Sequence, residues 1–89
     1  MQEWTFLTNY AHVLLAVARE PDRRMRDIAD EVGITERAAH RIVNELVDAG
    51  YVSKRRLGRC NSYEVHCDLP LRHPLARDRP VGELLNLLL

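Results

Sequence analysis

Eighty-nine residues, 46% of them apolar, are enough for one modest hydrophobic core and leave no room for a second. Thirteen lysines and arginines balance thirteen aspartates and glutamates, so the whole-chain charge of zero gives no support by itself to nucleic-acid binding. No run of about eighteen uncharged apolar residues exists, and the opening MQEWTFLTNY lacks a positive flank, a long apolar centre and a small-residue cleavage site, so the expectation is a cytoplasmic protein without a membrane span.

Phe6, Leu7, Tyr10, Val13, Leu14 and Val17 recur at three- and four-residue spacing, which predicts a helix from about Thr8 to Arg19 with Thr8 as its N-cap. Pro21 and Asp22 end it. A second helix, Met25 to Val32, turns Ile28, Ala29 and Val32 inward, and Asp27 near its start suits the positive helix end. Gly33 breaks that helix, as glycine does where a left-handed backbone is needed. Thr35 then caps a third helix running to Ala49, with Gly50 as the matching stop signal.

On the third helix, Ala39, Ile42, Val43, Leu46 and Ala49 fall on one side at 100° per residue, while Arg37, His40, Arg41, Asn44 and Asp48 fall opposite. Arginine, histidine and asparagine are side chains able to bond base edges in the major groove, whereas a basic polar face on a surface helix also arises without any partner. Thr35 and Glu36 add a phosphate or cytosine contact, although a cap is a sufficient reason for Thr35.

Behind the third helix, YVSKRRLGRCNSYEV alternates like a strand, turns at a glycine and alternates again. Tyr51, Tyr63 and Val65 are expected to cover the core. Lys54, Arg55, Arg56 and Arg59 bunch around the turn beside Asn61, with no acidic residue between Asp48 and Glu64; such cations reach phosphates beside a groove, or else protect a sheet edge. Two helices about a Gly33-Ile34-Thr35 turn followed by a cationic hairpin define the fold class: mainly α with a small β-sheet, a winged helix-turn-helix of three core helices, a β-hairpin wing and a C-terminal helix. In such a fold Arg23 to Met25 would be a short strand completing the sheet with the wing. The charge distribution agrees: four cations face six anions over residues 1–34, six face four over 35–67, and three face three over 68–89.

RMRDIADEVGITERAAHRIVNELVDAGYV with the wing KRRLGRCNSYEV resembles the winged helix-turn-helix of bacterial MarR-type and ArsR-type transcription regulators, over about Arg23 to His66. The resemblance implies that Thr35, Arg37, His40, Arg41 and Asn44 read the major groove and that Arg56 and Arg59 are wing contacts. The chain departs from both families, since it lacks the long flanking helices that frame an effector pocket in MarR-type dimers and the cysteine-rich metal box of ArsR-type sensors.

Residues 1–67 form the expected winged domain and 68–89 a connector with an apolar helix. Pro80 suits a helix start, and Val81, Leu84, Leu85, Leu87, Leu88 and Leu89 make the last ten residues too apolar to stand alone in water. That helix packs on its own domain near Trp4 and Phe6, or forms with the N-terminus a two-fold homodimer interface that presents two recognition helices to a palindromic site. The proline-rich CDLPLRHPLARDRP is expected to run extended along the surface.

Cys60, His66, Cys67 and His73 match no ordinary zinc spacing, so no metal and no cofactor is expected. Arg59 beside Cys60 would favour a thiolate whose oxidation disturbs the wing, against the simpler reading of an inert thiol. His12 reads as a boundary residue on the first helix. No phosphate loop, activated nucleophile or paired acid and base emerges, so an enzyme is not expected. The reading is a sequence-specific regulator of double-stranded DNA; the alternative is a protein-interaction module of the same fold.

Overall fold

The first helix of the computed structural model, which describes residues 4–58 and 60–89, is α1 (Asn9–Arg19). Thr8 sits at its N-cap in extended backbone, and the Thr8 carbonyl accepts the His12 N–H at 3.1 Å, but its hydroxyl makes no capping bond. Val13, Leu14, Ala16 and Val17 form its buried stripe. His12 is half-buried, with Nδ1 3.2 Å from Asn9 Oδ1, a boundary position as its sequence context implied.

Helix α2 (Met25–Val32) buries Met25, Ile28 and Ala29, while Val32 is only partly covered at the edge of the same core. Gly33 follows at φ 89° and ψ 32°, and the N–H groups of Gly33 and Ile34 both return to the Ala29 carbonyl, at 2.8 and 3.0 Å. A left-handed residue here reverses the chain within one turn, so α3 (Glu36–Asp48) can start at once. Ala39, Ile42, Val43 and Leu46 enter the core as predicted, whereas Ala49 lies at the C-cap and is exposed. Ile28, Val13, Val17 and Val43 are the largest fully buried side chains, so the core centres where the three helices meet.

Strands β1 (Val52–Leu57) and β2 (Cys60–Val65) pair antiparallel, with Val52 opposite Val65, Lys54 opposite Tyr63 and Arg56 opposite Asn61. Tyr51, Val52 and Tyr63 are buried and Val65 packs against the core, which anchors the hairpin base to the helices. The strand expected at Arg23 to Met25 does not form. Proline lacks an N–H and the chain turns at Pro21 and Asp22, leaving two residues before α2 begins; one bond, from the Tyr63 N–H to the Pro21 carbonyl at 3.1 Å, replaces a ladder.

The connector is a closed loop, not an extended strap. Pro70 and Pro80 form an antiparallel bridge, the Leu71 N–H bonds the Arg79 carbonyl at 3.0 Å, and the Val81 N–H bonds the Leu69 carbonyl at 2.7 Å. Its prolines stiffen the two ends so that they pair, and the Tyr51 hydroxyl donates to the Pro70 carbonyl, fastening the loop to the hairpin base. This delivers α4 (Val81–Leu88) back onto α1, where Val81 and Leu85 are buried and Arg19 Nη2 donates to the Leu88 carbonyl at 3.0 Å. Leu87 and Leu89 remain exposed, as do Trp4 and Phe6, whose rings meet edge to face at 4.9 Å. No helix among the described residues is long and apolar enough to cross a membrane.

Candidate nucleic-acid interface

The buried stripe of α3 leaves its opposite side to solvent, and the helical period places Arg37, Arg41 and Asn44 there as one row. All three are exposed. Thr35 accepts the Ala38 N–H on its hydroxyl at 3.0 Å, so its side chain serves as the N-cap that fixes where the helix starts. Glu36 lies in the first turn, suited to the positive helix end, with a carboxylate oxygen 3.7 Å from His40 Nε2.

Arg41 is the one member of the row that is tied down among the described residues. Its Nη1 donates to Glu45 Oε2 at 3.2 Å and lies 3.4 Å from the Tyr10 hydroxyl, which itself donates to Glu45 Oε1 at 2.5 Å. The Tyr10 hydrogen bond, followed by the Arg41 guanidinium, holds the Glu45 carboxyl below its ordinary range; the Tyr10 contact, then Glu45, pushes Arg41 higher still. Sequence reading had Tyr10 only as an apolar member of α1. Nothing local connects it to a residue 35 positions away, and only its hydroxyl marks it as needing a partner.

In the hairpin, Lys54 and Arg56 share the face of Tyr63 and Asn61, and Arg55 stands on the other face with Ser62. Lys54, Arg55 and Arg56 are all exposed. Beyond the buried Val52, residues Ser53 to Arg56 are exposed, and both faces of this stretch of β1 carry cations. Arg56 Nε donates to the Gly58 carbonyl at 3.2 Å, which keeps its guanidinium near the turn. Asn61 is half-buried, and its side chain beside the Tyr63 phenol partly offsets the rise that burial imposes on that group. Arg59 and the Cys60 side chain lie outside the described residues.

A further acidic group, Glu20, Asp22, Asp27, Asp30 and Glu31, lines the α1–α2 turn. Arg23 pairs with Glu31 and lies 3.8 Å from Glu20, pinning the α1–α2 turn, and the Glu31 hydrogen bond pushes its guanidinium above the ordinary value. Among the described residues no group of three or more His, Cys, Asp or Glu is placed to hold a metal ion. His66 Nε2 meets the Ser53 hydroxyl at 2.5 Å, and His73 Nδ1 accepts the Leu75 N–H at 3.1 Å. A cleft of about 410 Å³ opens between α1, α3 and α4, walled by Leu14, Leu46, Leu84 and Leu88 with Tyr10 and Glu45 at its edge.

The MarR family's sequence model matches residues 5–59, from just before α1 to the end of the first wing strand and its turn. Among solved structures the chain is similar to the PcaV transcriptional regulator from Streptomyces coelicolor, determined in complex with its natural ligand, at 24% identity and a TM-score of 0.58. That alignment covers 67% of this chain and 45% of PcaV, so the chain spans less than half of its neighbour, and the likeness is one of fold. Curated protein sequences give no significant match. With the family match extending over more than half of the chain and the helix-turn-helix and wing in place, the protein belongs to the MarR family and has a winged-helix fold.

Proposed function

We propose that the protein binds double-stranded DNA sequence-specifically, with α3 in the major groove and the wing on the flanking backbone. The observation that carries this reading is the exposed row of Arg37, Arg41 and Asn44, directly opposite the buried face of a helix whose start is fixed by Thr35. Arginine forks match guanine O6 and N7, and an asparagine amide matches adenine N6 and N7. His40 and Glu36 flank the row, and Thr35 sets its register. Lys54, Arg55, Arg56, Arg59 and Asn61 supply phosphate contacts that orient the domain without selecting bases.

A single copy makes few phosphate contacts, so the operating form is a homodimer in the cytoplasm, paired through the N- and C-terminal segments. Support comes from Trp4, Phe6, Leu87 and Leu89, large apolar side chains left in water at the two ends of the chain. A two-fold pair presents two α3 helices to half-sites about one DNA turn apart, and the preferred operator is a palindrome.

Selection of bound sequences from a randomised duplex pool, followed by a salt titration of the best sequence against nonspecific competitor, tests the proposal. Enrichment of a palindrome bound with a steep salt slope is the expected result. Enrichment of nothing, even at low salt, would discard DNA reading and leave the polar face of α3 as a surface for a protein partner.

A further inference from the structure

Among the described residues, Arg41 is the one side chain of the exposed α3 row held from outside its own helix. Tyr10, in the first turn of α1, donates its hydroxyl to one carboxylate oxygen of Glu45, and the other oxygen accepts Arg41 Nη1. Both bonds converge on the flank of α3 that faces α1. The Arg41 guanidinium is thus fixed at one corner, while Nε and Nη2 have no partner among the described residues. Those two groups form one complete fork of a guanidinium, the geometry that pairs with the two acceptors of a guanine edge.

We infer that Tyr10 and Glu45 are positioning residues for DNA reading, presenting the free Nε and Nη2 fork of Arg41 to a guanine in the major groove. The inference deepens the DNA-binding proposal and rests on it. An arginine fixed before contact gives up less side-chain freedom on binding and offers one orientation of its fork, so it discriminates better among bases than a freely rotating one. Glu45 itself touches no DNA in this arrangement. As an anion beside the groove it opposes phosphate binding, so its presence is accounted for by the aim it gives Arg41 and not by affinity.

The test compares base preferences, position by position, from randomised-pool selection with the full-length wild type, Arg41→Ala, Glu45→Ala, Glu45→Gln and Tyr10→Phe. Arg41→Ala should erase a guanine preference at one position per half-site. Glu45→Ala should lower that same preference about tenfold, within the range one bidentate base contact supplies, while other positions and the melting temperature hold and nonspecific affinity rises. Tyr10→Phe should give a smaller loss at the same position. Glu45→Gln, whose amide oxygen accepts from Arg41 and whose NH₂ can face the Tyr10 oxygen, should keep most of it. Added to Arg41→Ala, Glu45→Ala should lower no base preference further.

Several results would overturn the inference while DNA reading stands: an Arg41→Ala variant with no position changed, a Glu45→Ala variant whose guanine preference matches the wild type, or a loss spread evenly over all positions with a falling melting temperature. A wild-type protein that enriches no sequence removes the DNA-binding proposal, and this inference with it.

Discussion

The backbone of Gly82 lies directly against Cys67. The Gly82 N–H donates to the Cys67 carbonyl at 2.9 Å, and a Cβ at position 82 would fall 2.7 Å from Cys67 Cβ and 2.9 Å from that carbonyl oxygen. This close approach joins the first turn of α4 to the end of the wing, and it is what lets Val81 and Leu85 reach the core. Neither obstacle is the far end of a flexible side chain, so neither can swing aside. Gly82→Ala should therefore destabilise the fold by about 1–3 kcal/mol, the usual cost of overpacking a tight contact. Urea denaturation measures it, and a midpoint equal to the wild type would show that α4 sits farther from the wing in solution.

Gly33 gives the opposite case. A Cβ there meets nothing within 4 Å, and the difficulty is only the left-handed backbone at φ 89°. Gly33→Ala should cost about 1–2 kcal/mol from the torsion alone. Gly33→Asn should recover part of that loss, because asparagine tolerates this conformation, whereas the equivalent replacement at Gly82 should recover nothing. Equal losses for alanine and asparagine at position 33 would mean that the turn is limited by packing.

Lys54 and Arg56 flank the wing on one face, and their expected role on DNA is electrostatic. Replacing both by alanine should weaken binding to every sequence alike and reduce the slope of log affinity against log salt by about 2 per protomer, close to one unit per lost phosphate contact. Arg37→Ala and Asn44→Ala should instead leave most of that slope and relax base preference at separate positions, each by about 1–3 kcal/mol. Salt titrations on specific and nonspecific duplexes separate the two classes. A wing variant that alters base preference, or an α3 variant that weakens all sequences uniformly, would reverse the assignment of reading and anchoring surfaces.

Much of this architecture is local and therefore legible in the chain. The apolar period of Ile42, Val43 and Leu46, the Thr35 cap and the Gly33 stop each act within four residues, and the structure follows them closely. The same holds for the Lys54 to Asn61 hairpin, whose alternation sets which side chains share a face. Relations between distant segments were not legible. Pro70 pairing with Pro80 depends on where β2 and α4 end, so a proline-rich segment that reads as extended closes into a loop. The strand expected before α2 required free backbone on both sides, and Pro21 with its turn left too little. At the candidate interface, which α3 residues share the exposed face was readable from periodicity alone. The restraint on Arg41 was not, because it comes through Tyr10 from another helix.

The Tyr10 and Arg41 contacts also give the Glu45 carboxyl a measurable signature in solution. Both stabilise its charged form, Tyr10 more than any other group, so the carboxyl titrates below the usual glutamate value of about 4.3. A group whose folded value is depressed adds stability that is complete above the unfolded value and is lost as the pH falls through the folded one. The contribution is small at this exposed site and should vanish only in acid, below the ordinary glutamate range. Carbon-detected NMR titration should place the Glu45 midpoint below that of an unperturbed glutamate, and Tyr10→Phe should move it upward. Arg41→Ala should move it upward as well, since the guanidinium contributes both a hydrogen bond and a charge. A wild-type midpoint at the ordinary value, unmoved by Tyr10→Phe, would mean that the three side chains do not hold together in solution, and Arg41 would then meet DNA as a free arginine.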